Sequence, residues 1–101
     1  MSDVPSAILD SAKVLAFAIV DESVTYINHK TLYVDGELLG VVPKLAICQN
    51  EGEIELMVFH CDNDWNVLGV TAEHWSIGEA IEYTERAYKG LSEKWVKFKN
   101  A

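Results

Sequence analysis

Short apolar runs alternate with polar breaks along most of the chain, and near the C-terminal end the apolar spacing lengthens to that of a helix. Residues 14–20 are an unbroken apolar run between Lys13 and Asp21. Periodicity alone does not separate a strand buried on both faces from a buried helical segment; the short, charge-bounded run favours a strand. Upstream, residues 5–13, with Pro5 near the first turn, fit a short helix. Residues 24–28 add a weak strand. Asp35 and Gly36 sit between apolar residues and predict a β-hairpin, because the type I′ turn needs positive φ at both central positions. Residues 44–49 and 53–61 predict a second hairpin turning through 50–52. Centred on Glu51 and Gly52, that turn sets Cys48 opposite Glu55 and Cys61 opposite Val42. Alternation sorts Leu45, Ile47, Ile54, Leu56, Val58 and His60 onto one side, and Ala46, Cys48, Met57, Phe59 and Cys61 onto the other. Both sides are largely apolar, so these strands belong in the middle of the sheet. A polar loop at 62–66 and a short strand at 67–71 follow.

Ser76-Ile77-Gly78-Glu79 matches a capping box, in which the serine oxygen and the glutamate satisfy free amides at a helix start. Ile77, Ile81, Thr84, Tyr88 and Leu91 then fall on one helical face, and Gly90 supplies a left-handed stop, so the helix is expected over about 77–89. Residues 94–98 read as an edge strand guarded by lysines. The fold expected is α+β: an antiparallel sheet of about five to six strands with this one principal helix packed on one face. The length, 101 residues, fits a single domain over 1–101.

Charge changes the picture next. Asp and Glu outnumber Lys and Arg by 16 to 8, for a net charge of −8. Such a chain repels phosphate backbones, which argues against nucleic acid as a partner, and an acidic body suits a basic protein partner. The charge is also two-sided: residues 1–85 hold 15 acidic side chains against 3 lysines, and residues 86–101 hold 5 basic against 1 acidic. Pairing of the two ends makes a homo-oligomer a further expectation. The acidic start lacks the basic opening of a secretory signal. The run at 14–20 is far shorter than the ~20 residues that cross a bilayer, so a cytoplasmic protein without membrane attachment is expected. Two cysteines fit reduced thiols in that compartment, and the expected hairpin register keeps Cys48 and Cys61 too far apart to bridge.

Candidate chemistry is sparse. His60, Cys61 and Asp62 are consecutive, but neighbours in a strand point to opposite faces, so a cysteine-dependent enzyme would need Cys61 paired with His74. His60, Cys61, Asp62 and His74 lack the ligand spacing of a zinc site. Asp62, Asp64, Asn66 and Glu73 take positions 1, 3, 5 and 12 of a calcium loop, but Val67 stands where the sharp turn needs glycine. No glycine-rich phosphate loop or nucleophile elbow is present. No metal and no cofactor are expected. Trp65, flanked by Asp62, Asp64 and Asn66, reads as an exposed aromatic anchor within an anionic loop, while Trp75 is placed to pack against the helix and Trp95 to lie beneath it.

The stretches 32–36, 45–50 and 59–69, together with the Ser76–Tyr88 helix, resemble a family of small uncharacterised bacterial single-domain proteins. The resemblance spans most of the chain and implies an intracellular bacterial domain, without implying an activity or site residues. In size and acidity alone the chain is also similar to the immunity proteins of bacterial toxin systems. The function expected is a non-enzymatic acidic protein-binding domain, regulatory or toxin-neutralising, that uses Trp65, Asp62, Asp64 and Asn66; the alternative is the Cys61–His74 enzyme.

Overall fold

The computed structural model describes residues 3–27, 33–34 and 36–98. The elements run β1 (Ile8–Leu9), β2 (Ala12–Ile19), β3 (Thr25–Tyr26), β4 (Tyr33–Val34), β5 (Glu37–Leu38), β6 (Lys44–Gln49), β7 (Leu56–Cys61), β8 (Val67–His74), α1 (Ile77–Glu85), β9 (Tyr88–Lys89), the 3₁₀ turn η1 (Leu91–Glu93) and β10 (Val96–Lys97). The architecture is α+β. An antiparallel sheet in the order β1-β2-β6-β7-β8, with β10 also on β2, curls into a half-barrel with α1 packed against it. Two small pairs, β3 with β9 and β4 with β5, complete the described structure. Of the expected Asp35–Gly36 hairpin, Val34 pairs with Glu37 and Gly36 has φ 83°; residues 31, 32 and 35 lie outside the described residues.

The expected helix over 5–13 is instead a hairpin. Ile8 pairs with Lys13 and Leu9 with Ala12, around Asp10 and Ser11 at φ 45° and 69°. Positive φ at both central residues is the type I′ geometry, here reached without glycine; Asp is one of the residues that tolerates it. The 14–20 run is a strand, as expected, and Leu15 forms a bulge in it: Val14 pairs with Cys48, but Ala16 pairs with Ile47. An extra residue reverses which face the following side chains meet. Ala12 and Val14 therefore share a cluster with Phe17, whereas Ala16 and Ala18 join the opposite one.

The central hairpin keeps its expected faces but not its register. Ala46 pairs with Phe59, Cys48 with Met57 and Lys44 with Cys61, so the Glu55 and Val42 partners expected for the cysteines are wrong. The connection occupies 50–55 because it is bonded internally. The Glu53 amide donates to the Asn50 carbonyl (3.2 Å) and the Gln49 side-chain amide to the Glu53 carbonyl (2.7 Å), with Gly52 at φ 84°. A two-residue shift preserves alternation. Leu45, Ile47, Leu56 and Val58 pack towards the helix with Ala80, Tyr88 and Leu91, while Ala46, Cys48, Phe59 and Cys61 pack on the other face with Phe17 and Trp65. Ile54, expected inside the strand, falls in the loop.

The serine half of the capping box forms, with the Glu79 amide donating to Ser76 Oγ at 3.0 Å, while the Glu79 carboxylate accepts from the amide one residue earlier, that of Trp75. The helix stops at Glu85, earlier than expected, because the Glu85 carboxylate accepts from the amides of Gly90 and Ser92, each at 2.8 Å, and draws the chain into η1. Tyr88 and Lys89 pair with Tyr26 and Thr25 as β9. Tyr88 nevertheless stays on the buried side, where its hydroxyl accepts from the Val42 amide at 3.0 Å. The C-terminal strand is present as β10, pairing Val96 with Phe17 and Lys97 with Ala16. At the opposite edge, β8 pairs among the described residues with β7 alone, and register shifts beside Leu68 and before His74 interrupt the outer line of β8. Bulges of this kind discourage edge-to-edge pairing. No helix among the described residues is long and apolar enough to cross a membrane.

Candidate functional site

Trp65 is not the surface anchor that its polar neighbours suggested: it is 7% exposed. The loop explains why. Asp62 Oδ1 accepts from the amides of Asp64 and Asn66, both at 2.9 Å, and Asp62 Oδ2 accepts from the Asn66 side chain at 3.0 Å. These bonds hold the Asp62 carboxyl below its usual range. They also close a tight turn in which Trp65 takes φ 65°, a conformation rare for a bulky residue. In that turn the indole packs against the sheet, edge-on to Phe17 with centroids 5.9 Å apart and with Lys44 Nζ 5.1 Å from its ring centre. Lys44 is itself buried and donates to the Asn63 carbonyl at 2.7 Å. Asp64 and Asn66 remain exposed, but the aromatic they were to surround is inside the fold.

Cys61 and His74 are not brought together. Cys61 faces the Trp65 cluster, whereas His74 pairs with Leu56 on the helix side, five residues along β7. That is about 17 Å along the strand, with the sheet between them. Burial pushes both the Cys48 and the Cys61 thiol up to about 12, the reverse of what an activated nucleophile requires. Both cysteines are free and buried. Among the described residues, no group of three or more His, Cys, Asp or Glu side chains is placed to hold a metal ion.

The exposed indole belongs to Trp75, which is 59% exposed; Ile54 is 80% exposed. Two register facts join them. His74 pairs with Leu56, so the next residues in either direction, Trp75 and Glu55, leave the ladder side by side. The internally bonded 50–55 loop then brings Ile54 to the same place. Gly52, Glu53, Ile54, Glu55 and Trp75 line one concavity of about 330 Å³. The Trp75 amide donates to the Glu79 carboxylate, which anchors the backbone under the ring. Other large exposed apolar residues, such as Val4, Val41 and Val96, belong to different segments, and scattered exposure of that kind is normal.

Trp75 was expected to pack on the helix. A residue just before the N-cap does so when it meets a large apolar side chain at the fourth helical position. Here that position is Ala80, which is small and fully buried in the core, so the indole has nothing to close upon. Ala80 was visible in the sequence and is the signal that could have located the exposed ring.

The arrangement offers an apolar surface bordered by carboxylates, with Glu51 and Glu53 exposed on the same loop and Glu73 and Glu79 exposed on either side of Trp75. An indole face attracts cations through its quadrupole, and carboxylates beside it add to that attraction. A scan against protein-family models finds no match, and no curated protein or solved structure matches the chain.

Proposed function

We propose that the chain is a non-enzymatic protein-binding domain whose acidic contact face, centred on Trp75 and Ile54, takes a basic protein partner. The observation that carries this reading is two large apolar side chains, exposed and lining one hollow with Glu53 and Glu55. Tryptophan is among the residues most enriched at interface hot spots, and opposite charge accelerates encounter and fixes orientation. The net charge of −8 favours a basic visitor over an acidic one. A regulatory or toxin-neutralising role follows where that visitor is an active protein that the domain covers.

Affinity capture with quantitative mass spectrometry tests the reading, using wild type, Trp75→Ala and Ile54→Asp as baits. The expected outcome is a basic protein retained by wild type and lost with both variants, whose far-UV circular dichroism remains that of wild type. Equal retention by all three baits contradicts the proposal.

A further inference from the structure

Apolar burial at Trp75 and Ile54 alone falls short of a stable complex. Covering the two side chains contributes on the order of 5 kcal/mol, whereas association costs roughly 4–15 kcal/mol in lost freedom. A partner that stays bound needs further contacts close by. The other side of the 50–55 loop supplies them. A second concavity, of about 370 Å³, lies there, with Ile8, Ser11, Lys13, Gln49, Glu51 and Glu53 among its lining residues. It exists because the tight Asp10–Ser11 turn and the 50–55 loop share one end of the sheet, where Lys13 pairs with both Ile8 and Gln49. Ile8 is 55% exposed in it.

Gly52 and Glu53 line both hollows, so the loop is a ridge between them. The ridge is preformed. Gln49 Nε2 bonds the Glu53 carbonyl, and Asn50 Nδ2 donates to Glu53 Oε1 at 3.1 Å. A surface already held in shape loses less freedom on binding.

We infer that this face recognises an extended basic segment with two apolar anchors, one seated against Trp75 and Ile54, the other against Ile8, and with lysine or arginine between them over the glutamates of the ridge. The inference rests on the proposed binding role and adds the chemistry of the partner. Ile8 lies in β1 and Trp75 directly follows β8, four strands away in the sheet, or about 19 Å at 4.8 Å per strand. A segment in the extended left-handed form has three residues per turn and rises about 3.1 Å per residue, so side chains six residues apart lie on one side, about 19 Å from each other. The recognised pattern is therefore apolar residues at positions i and i+6 flanking basic residues. Lys13, in the second hollow, donates to a carbonyl of the visiting backbone.

Three fluorescein-labelled octapeptides test this by fluorescence anisotropy: one with two leucines six residues apart and lysines between them, one with a single leucine replaced by serine, and one with both replaced. The two-leucine peptide is expected to bind at least tenfold more tightly than the one-leucine peptide. Ile8→Asp should reduce it to the one-leucine level, and Trp75→Ala should weaken both. Ile8 and Trp75 are exposed, so both variants are expected to fold, which circular dichroism checks. Equal binding of the one- and two-leucine peptides, insensitive to Ile8→Asp yet dependent on Trp75, overturns the two-anchor inference and leaves the binding role standing. Binding independent of Trp75, or none by any peptide, removes the role and the inference together. Self-association abolished by Trp75→Ala would give the hollow to the basic tail of a second copy and also overturn the inference.

Discussion

His60 makes the fold sensitive to mild acid. It is 4% exposed on the helix side of β7, and its buried Nε2 has no hydrogen-bond partner among the described residues. Burial, with a smaller contribution from His74, pushes its pKa down from 6.5 to about 4. Above pH 6.5 both the folded and the unfolded chain carry the neutral ring, and its contribution to stability is complete. Between 6.5 and about 4 the unfolded chain holds a proton that the folded chain refuses, so stability falls as pH falls, by about 1.4 kcal/mol per pH unit. Across the window the loss is about 3 kcal/mol, a large part of the ~5–15 kcal/mol typical of a domain. His74 is lowered too, by burial, and acts with the same sign. The carboxyls of Asp21, Asp62 and Glu85 are lowered by their hydrogen bonds, and their stabilisation is lost only as pH falls below about 4 to 5. Comparing pH 7.0 with pH 5.5 therefore isolates the histidines. His60 alone predicts a loss of about 1 kcal/mol in that interval, a urea midpoint lower by about 0.5 M for a slope of ~2 kcal/mol per molar. Leucine has no proton to take up and no buried polar atom to leave unpaired, so His60→Leu should show a smaller midpoint shift and be at least as stable as wild type at pH 5.5. A midpoint that moves equally in wild type and His60→Leu refutes the assignment.

Three further outcomes follow from the packing. Trp65→Ala should lose about 3–5 kcal/mol in urea denaturation as a buried aromatic, whereas Trp75→Ala should stay within about 0.5 kcal/mol as a surface change; the reverse order contradicts the burial described. Gly90→Ala should cost more than ~1 kcal/mol, because φ is 96° and the added methyl would stand 3.2 Å from the Ser23 carbonyl. Iodoacetamide at pH 8 should label Cys48 and Cys61 only as fast as the chain unfolds; rapid labelling under native conditions contradicts the raised thiol pKa values.

Where a feature is set by residues near in sequence, it could be read beforehand. The capping serine and glutamate, the strand at 14–20 and the two faces of the central hairpin depend on spacing alone, and all are present. The hairpin register could not be read, because it depends on bonds from Gln49 and Asn50 to Glu53 that lengthen the turn. The helix end was hidden for a similar reason: the hydrophobic stripe continues through Tyr88, but Glu85 bonds forward to Gly90 and Ser92. The candidate site failed in a more instructive way. Polar neighbours implied that Trp65 was exposed, yet those neighbours bond to one another and to the turn, and the positive φ at Trp65 places the ring in the core. Exposure of Trp75 follows from the small residue at Ala80 and from a register that places Glu55 beside it, and the second cause is invisible without the sheet.

The most direct test is an amide-correlation NMR spectrum in which the three tryptophans each contribute one indole N–H peak. On titration with the two-leucine peptide, the Trp75 peak is expected to move in proportion to occupancy while those of Trp65 and Trp95 stay in place. Movement of the Trp65 peak with Trp75 stationary would return the contact face to the 62–66 loop and contradict the account.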